Sequence, residues 1–151
     1  MKSKITGLVL LAVLITFSTF ATNIEDNVDR KVSSAFTQKF SDAREVTWNI
    51  TDKYVKARFI LNEQVMFAYF TQTGELIGVS RNILASRLPL NLQAQLKKSF
   101  PDGWITELFE YATDQETVYY ATIETSNEKK MISSIGTISW IVYKKVKKIE
   151  P

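Results

Sequence analysis

From Glu25 to Phe40 the apolar positions Val28, Val32, Ala35, Phe36 and Phe40 recur at helical spacing, with Arg30, Lys31, Ser34 and Lys39 turned elsewhere. The pattern predicts an amphipathic helix, with Asp26 or Asn27 placed to cap its free amides. Beyond Phe40 the period drops to two. Val46, Trp48 and Ile50 alternate with Glu45, Thr47 and Asn49. After the turn "TDK", Val55, Ala57, Phe59 and Leu61 alternate with Tyr54, Lys56 and Arg58. "NEQ" then turns the chain into "VMFAYF", and "TQTG" turns it into "ELIGVS". The expected order is one helix followed by four antiparallel strands on short loops.

That order then repeats. "RLPLNLQAQLKKSF" predicts a second helix, opened by Pro89 and lined by Leu92, Leu96 and Phe100. "WITELFEYA", "TVYYATIET", "MISS" and "GTISWIVYKKV" predict four more strands, with "DQE" and "SNEKK" as turns. Three blocks match in order: "KFSDA" with "SFPDG", "YVKARF" with "VYYATI", and "GELIGV" with "GTISWI". The chain is therefore read as an internal duplication, a single domain over 22–151 with similar halves at about 26–83 and 86–148. Phe40 and Phe100 are expected as equivalent core anchors, each followed by a turn carrying Asp42 or Asp102. The expected fold class is α+β: a tandem repeat of one helix plus a four-stranded antiparallel sheet, with the helices packed on one sheet face.

The first residues follow neither period. Lys2 and Lys4 precede an apolar stretch from Ile5 to Phe17, and the small residues Thr19 and Ala21 sit at the spacing a signal peptidase accepts. The stretch falls short of the ~20 residues that a membrane span requires. Residues 1–21 are thus read as a secretory signal cut between Ala21 and Thr22, leaving no stable membrane span. The expected location is the periplasm or the medium of a Gram-negative bacterium. Mass spectrometry of the exported protein is expected to find Thr22 at the mature N-terminus; an intact Met1 in the membrane pellet would overturn the reading.

Composition narrows the chemistry. The formal charge of +3 includes Lys2 and Lys4, so the mature chain carries about +1, which gives nucleic acid no electrostatic footing. The 151 residues contain neither cysteine nor histidine. Disulfides, thiolate nucleophiles, Ser-His-Asp catalysis and the usual zinc ligands are all excluded. No Gly-rich phosphate loop or metal-ligand spacing is present, so neither cofactor nor metal is expected. Asp42, Asp52, Asp102 and Asp114 remain as acids for general acid–base work, but each sits in or beside a turn, where aspartate bonds its own backbone. The chain is read as a non-enzyme, and a hydrolase built from these carboxylates would need two of them in one cleft.

A family resemblance rests on these same residues. A helix, then "FSDA", a strand with a tryptophan, "YVKARF", "GEL", and "LP" opening a second helix that ends in "FPDG" resembles the bacterial PepSY-like proteins, also described as β-lactamase-inhibitor-like. The likeness covers roughly Asn27 to Lys147. It implies a tandem helix-plus-four-strand fold and supplies no catalytic residues to carry over. The inhibitor label describes shape, and this chain lacks the cysteines of the disulfide-bonded inhibitor.

Candidate binding residues come from alternation. The sheet face away from the helices is expected to show Tyr54, Lys56 and Arg58 from the first half and Val118, Tyr120 and Thr122 from the second. Tyrosine beside basic groups suits recognition, and it also suits any half-solvated sheet. Trp48 and Trp140 share strand faces with aliphatic residues and are expected in the core, whereas Trp104, after a Pro-Asp-Gly turn, is the exposed candidate. Lys144, Lys145, Lys147 and Lys148 end the chain as protection for an edge strand or as a contact for an acidic partner. Two functions follow. The first is a noncatalytic binding module that recognises a protein or small ligand through its open sheet face. The alternative is a carrier or sensor of an apolar small ligand held between helices and sheet near Phe36, Phe59 and Phe67.

Overall fold

The computed structural model describes residues 28–147, so the signal segment, its cleavage point, Asp26, Asn27 and Lys148 lie outside the described residues. The element order is α1 (Arg30–Lys39), β1 (Arg44–Ile50), β2 (Val55–Leu61), β3 (Gln64–Phe70), β4 (Leu76–Asn82), α2 (Leu90–Ser99), β5 (Trp104–Ala112), β6 (Thr117–Glu124), β7 (Glu128–Ile135) and β8 (Ser139–Lys147). Among the described residues the eight strands form one antiparallel sheet in sequential order. Each helix-plus-four-strand unit follows the expected order, and β4 joins β5 at the centre through Val79–Ala112 to Asn82–Phe109. β7 begins three residues earlier than "MISS" suggests, because "EKK" pairs with β6 and β8 rather than turning.

Local chemistry explains the helix ends. The α1 cap is Asp29, whose carboxylate accepts the Lys31 amide at 2.7 Å. Pro89 occupies the equivalent position before α2, one residue ahead of the first turn. At the other end, the amide of Phe40 donates to the Phe36 carbonyl, and the amide of Phe100 donates to the Leu96 carbonyl. The next turns also match: Ala43 N–H donates to Phe40 O at 3.0 Å, and Gly103 N–H donates to Phe100 O at 3.1 Å. The duplicated motifs thus encode how each helix hands over to its sheet.

Both helices pack on the same sheet face. Val32 and Phe36 of α1 meet Trp48, Val55, Ala57, Phe59, Ala68 and Phe70. Leu92 and Leu96 of α2 meet Leu108, Ala121, Ile123 and Ile132. The first core is aromatic, with Phe36 ring centroids 5.0 Å from Phe59 and 5.1 Å from Trp48. The second is aliphatic. Phe40 and Phe100 are half-buried at the rims of these cores, so they seal the helix ends while Phe36 and Leu96, one turn earlier, are the buried anchors. Trp140 packs at the edge of the second core and donates its indole N–H to Leu92 O at 3.0 Å.

The third matched block is one residue out of register. Ala68 pairs with Val79 and Ile132 pairs with Val142, so Val79 corresponds to Val142 rather than to Ile141. In a strand a single-residue offset exchanges the two faces. The aspartates meanwhile leave the turn chemistry to threonine. Thr51 Oγ accepts the Lys53 and Tyr54 amides, and Thr113 Oγ accepts those of Gln115 and Glu116, in the turns that hold Asp52 and Asp114.

Candidate functional site

Residues opposite one another in a sheet share a face. Lys56 lies opposite Tyr69, and Tyr69 lies opposite Gly78. A second row runs Arg58, Phe67, Ser80, Tyr111 and Val118 across β2 to β6. A third runs Asn82, Phe109, Tyr120, Ser133 and Ile141 across β4 to β8. These rows cover the face away from both helices.

The rings on that face interlock. Tyr54 contacts Tyr69 with centroids 5.6 Å apart, and Tyr69 contacts Tyr111 at 5.9 Å, both edge to face. Phe109 stacks on Tyr120 at 5.0 Å, and Tyr120 meets Tyr143 at 6.3 Å. The Lys56 ammonium lies 4.7 Å from the Phe67 ring centre, within reach of a cation–π attraction. Small residues make room for the rings. A Cβ on Gly78 would sit 2.5 Å from the Tyr111 Cζ and Oη, so the absence of a side chain at 78 lets Tyr111 lie across the strand. Burial raises the Tyr111 pKa above its ordinary value, and the neighbouring Tyr69 and Tyr120 push in the same direction.

The sequence-derived candidates distribute unevenly over this surface. Tyr54, Lys56 and Arg58 stand together at the first-half end, and Tyr120 belongs to the second-half stack. Thr122 is on the face but buried, its hydroxyl donating to Glu107 at 2.8 Å. Trp104 is exposed and pairs with Glu124 at the far end of β5 and β6, apart from the ring strip. Tyr69, Phe109, Tyr111 and Tyr143, which share this face, are not among the residues read from the sequence, and Phe67 is read there as lining an apolar pocket instead. No polar–apolar alternation marks Phe67 or Phe109 in the sequence, because their strand neighbours Ala68 and Leu108 are apolar as well.

The ligand space imagined around Phe36, Phe59 and Phe67 does not form. Phe36 and Phe59 touch ring to ring in a filled core, while Phe67 lies on the opposite side of the sheet. An open cleft of about 590 Å³ lies instead where the β4–α2 connection meets β5, lined by Asn82 to Ala85 and Ile105 to Phe109. Among the described residues no cluster of acids suited to a metal is present, and no helix is long and apolar enough to cross a membrane.

No protein-family model matches the sequence, and no curated protein matches it. Solved structures do match. A DUF2874 family protein from Bacteroides uniformis superposes with a TM-score of 0.69 at 12% identity, covering 78% of this chain and 88% of that one. A candidate periplasmic protein from Bacteroides eggerthii gives 0.69 at 15%, covering 78% and 87%. A BLIP-like protein from Bacteroides fragilis gives 0.66 at 14%, covering 80% and 87%. At these identities the likeness is one of fold: the chain has the BLIP-like arrangement of two helices, each followed by four antiparallel strands, in a single sheet.

Proposed function

We propose that this protein is an exported, noncatalytic binding module that recognises a protein partner through the open face of its sheet. The observation that carries the reading is an aromatic strip made of two runs of touching rings, Tyr54–Tyr69–Tyr111 and Phe109–Tyr120–Tyr143, flanked by Lys56 and Arg58. Six inter-strand steps of about 4.8 Å separate β2 from β8, so the strip extends over roughly 29 Å. A surface of that width matches one side of a standard interface, ~800 Å², better than it matches a small-ligand pocket. Rings already packed against one another have little rotamer freedom left to lose on binding. Export is supported by the N-terminal pattern and by the periplasmic description of the Bacteroides eggerthii protein.

The test is a Tyr54→Ala, Lys56→Ala, Arg58→Ala, Tyr120→Ala variant, compared with the parent by thermal melting and by pull-down from the envelope fraction. Aromatic and arginine anchors are worth ~2 kcal/mol or more each at an interface, so capture is expected to disappear while melting stays cooperative. Capture retained by the folded variant would move the site off this face, and the loops around Trp104 would be the next region to change.

A further inference from the structure

Among the described residues β8 ends the sheet and pairs only with β7, so one side of its backbone faces away from the ladder. Natural sheets blunt such edges. β1, at the other end, does so with Arg44 and Glu45, a break in register between Arg44 and Thr47, and Glu45 held at φ 53°. β8 is different. Its register also shifts at Tyr143, but Ile141, Val142, Tyr143 and Val146 are each 45–53% exposed along it. Lysines alone would protect an edge, yet protection does not account for four exposed apolar residues beside them.

The lysines are divided between the faces. Lys144 pairs with Met131 on the open side, whereas Lys145 and Lys147 pair with Lys130 and Glu128 on the helix side. The ion pairs among the described residues use Arg81, Lys129 and Lys130, not these three. A partner lying on either face would meet only part of this charge. A strand added along the edge, with side chains alternating to both faces, would meet all of it. We propose that β8 accepts an extended acidic peptide segment as a ninth strand, its carboxylates opposite Lys144, Lys145 and Lys147 and its apolar residues against Ile141, Val142 and Tyr143.

The probe is a fluorescein-labelled, strand-sized peptide of about seven residues, three valines followed by Glu-Glu-Val-Glu and made in both chain directions, so that its carboxylates fall on both faces; binding to the unmodified protein is followed by anisotropy. Saturable binding that weakens as salt is raised is expected. N-methylation of alternate peptide amides, which removes ladder donors, is expected to abolish it. The Lys144→Glu, Lys145→Glu variant, matched to the parent by circular dichroism, is expected to bind on the order of tenfold or more weakly. Equal binding of the N-methylated peptide by the unmodified protein would overturn the proposal, whether or not the variant folds. So would a parent dimer in ultracentrifugation that the charge reversals dissolve, which would assign the edge to a second copy. Binding to phosphatidylglycerol vesicles without binding to the peptide would likewise overturn it in favour of a lipid surface.

Discussion

Phe59→Ala is expected to remove about 3–5 kcal/mol of stability, the usual cost of emptying a fully buried aromatic site. Phe59 is 0% exposed, and its ring sits 5.0 Å from that of Phe36 and 4.8 Å from that of Phe40. It therefore links α1 to the middle of β2, and truncation leaves a void bordered by rigid rings that cannot collapse into it. A domain of this size commonly has ~5–15 kcal/mol in total, so the variant is expected to be close to unfolding at moderate temperature. Urea denaturation followed by circular dichroism measures the loss. Phe40→Ala and Phe100→Ala are expected to cost less, because both residues are partly exposed at the core rims. A loss below ~1 kcal/mol for Phe59→Ala, the range of surface sites, would contradict the core described here.

The helices and strands were legible because the hydrophobic period changes cleanly at Phe40 and again at Phe100. Phe40 and Phe100 pack against the two cores at equivalent positions, but as partly exposed residues, because a residue that closes a helix lies at the rim, where its amide is tied to the last turn. Strand faces were legible only where polar and apolar residues alternate. "YVKARF" gave Lys56 and Arg58 their correct side, whereas "VMFAYF" is apolar on both faces and concealed Phe67 and Tyr69. Trp104 is exposed, as the turn before it suggests, but its side of the sheet was not legible. Strict alternation would put Trp104 and Leu108 on one face, but the bulge between Ile105 and Glu107 sends Leu108 to the core and Trp104 to the open side. The edge lysines were visible in sequence, but their division between faces depends on the register shift at Tyr143.

Gly78→Ala tests how the two halves of the open face are joined. The added Cβ would lie 2.5 Å from the Tyr111 Cζ and Oη and 2.9 Å from the Ala112 carbonyl oxygen. The ring can swing away; the β5 backbone carbonyl cannot move without disturbing the β4–β5 ladder, which joins the halves. Overpacking of this kind costs about 1–3 kcal/mol, and that loss in urea denaturation is the first expected result. The second concerns the ring. In the parent, burial holds the Tyr111 pKa above 10.0, so the unfolded chain ionises first and stability falls as pH rises from 10.0 through the folded value. Displaced into water, Tyr111 is expected to titrate nearer its ordinary range, and this part of the alkaline loss shrinks. Ultraviolet difference titration, with Tyr111→Phe as the reference that identifies its phenol among the six tyrosines, reads the change directly. Unaltered stability and an unaltered Tyr111 titration in Gly78→Ala would mean that the ring does not lie over Gly78, and the strip from Tyr69 to Tyr111 would be broken at the centre of the sheet.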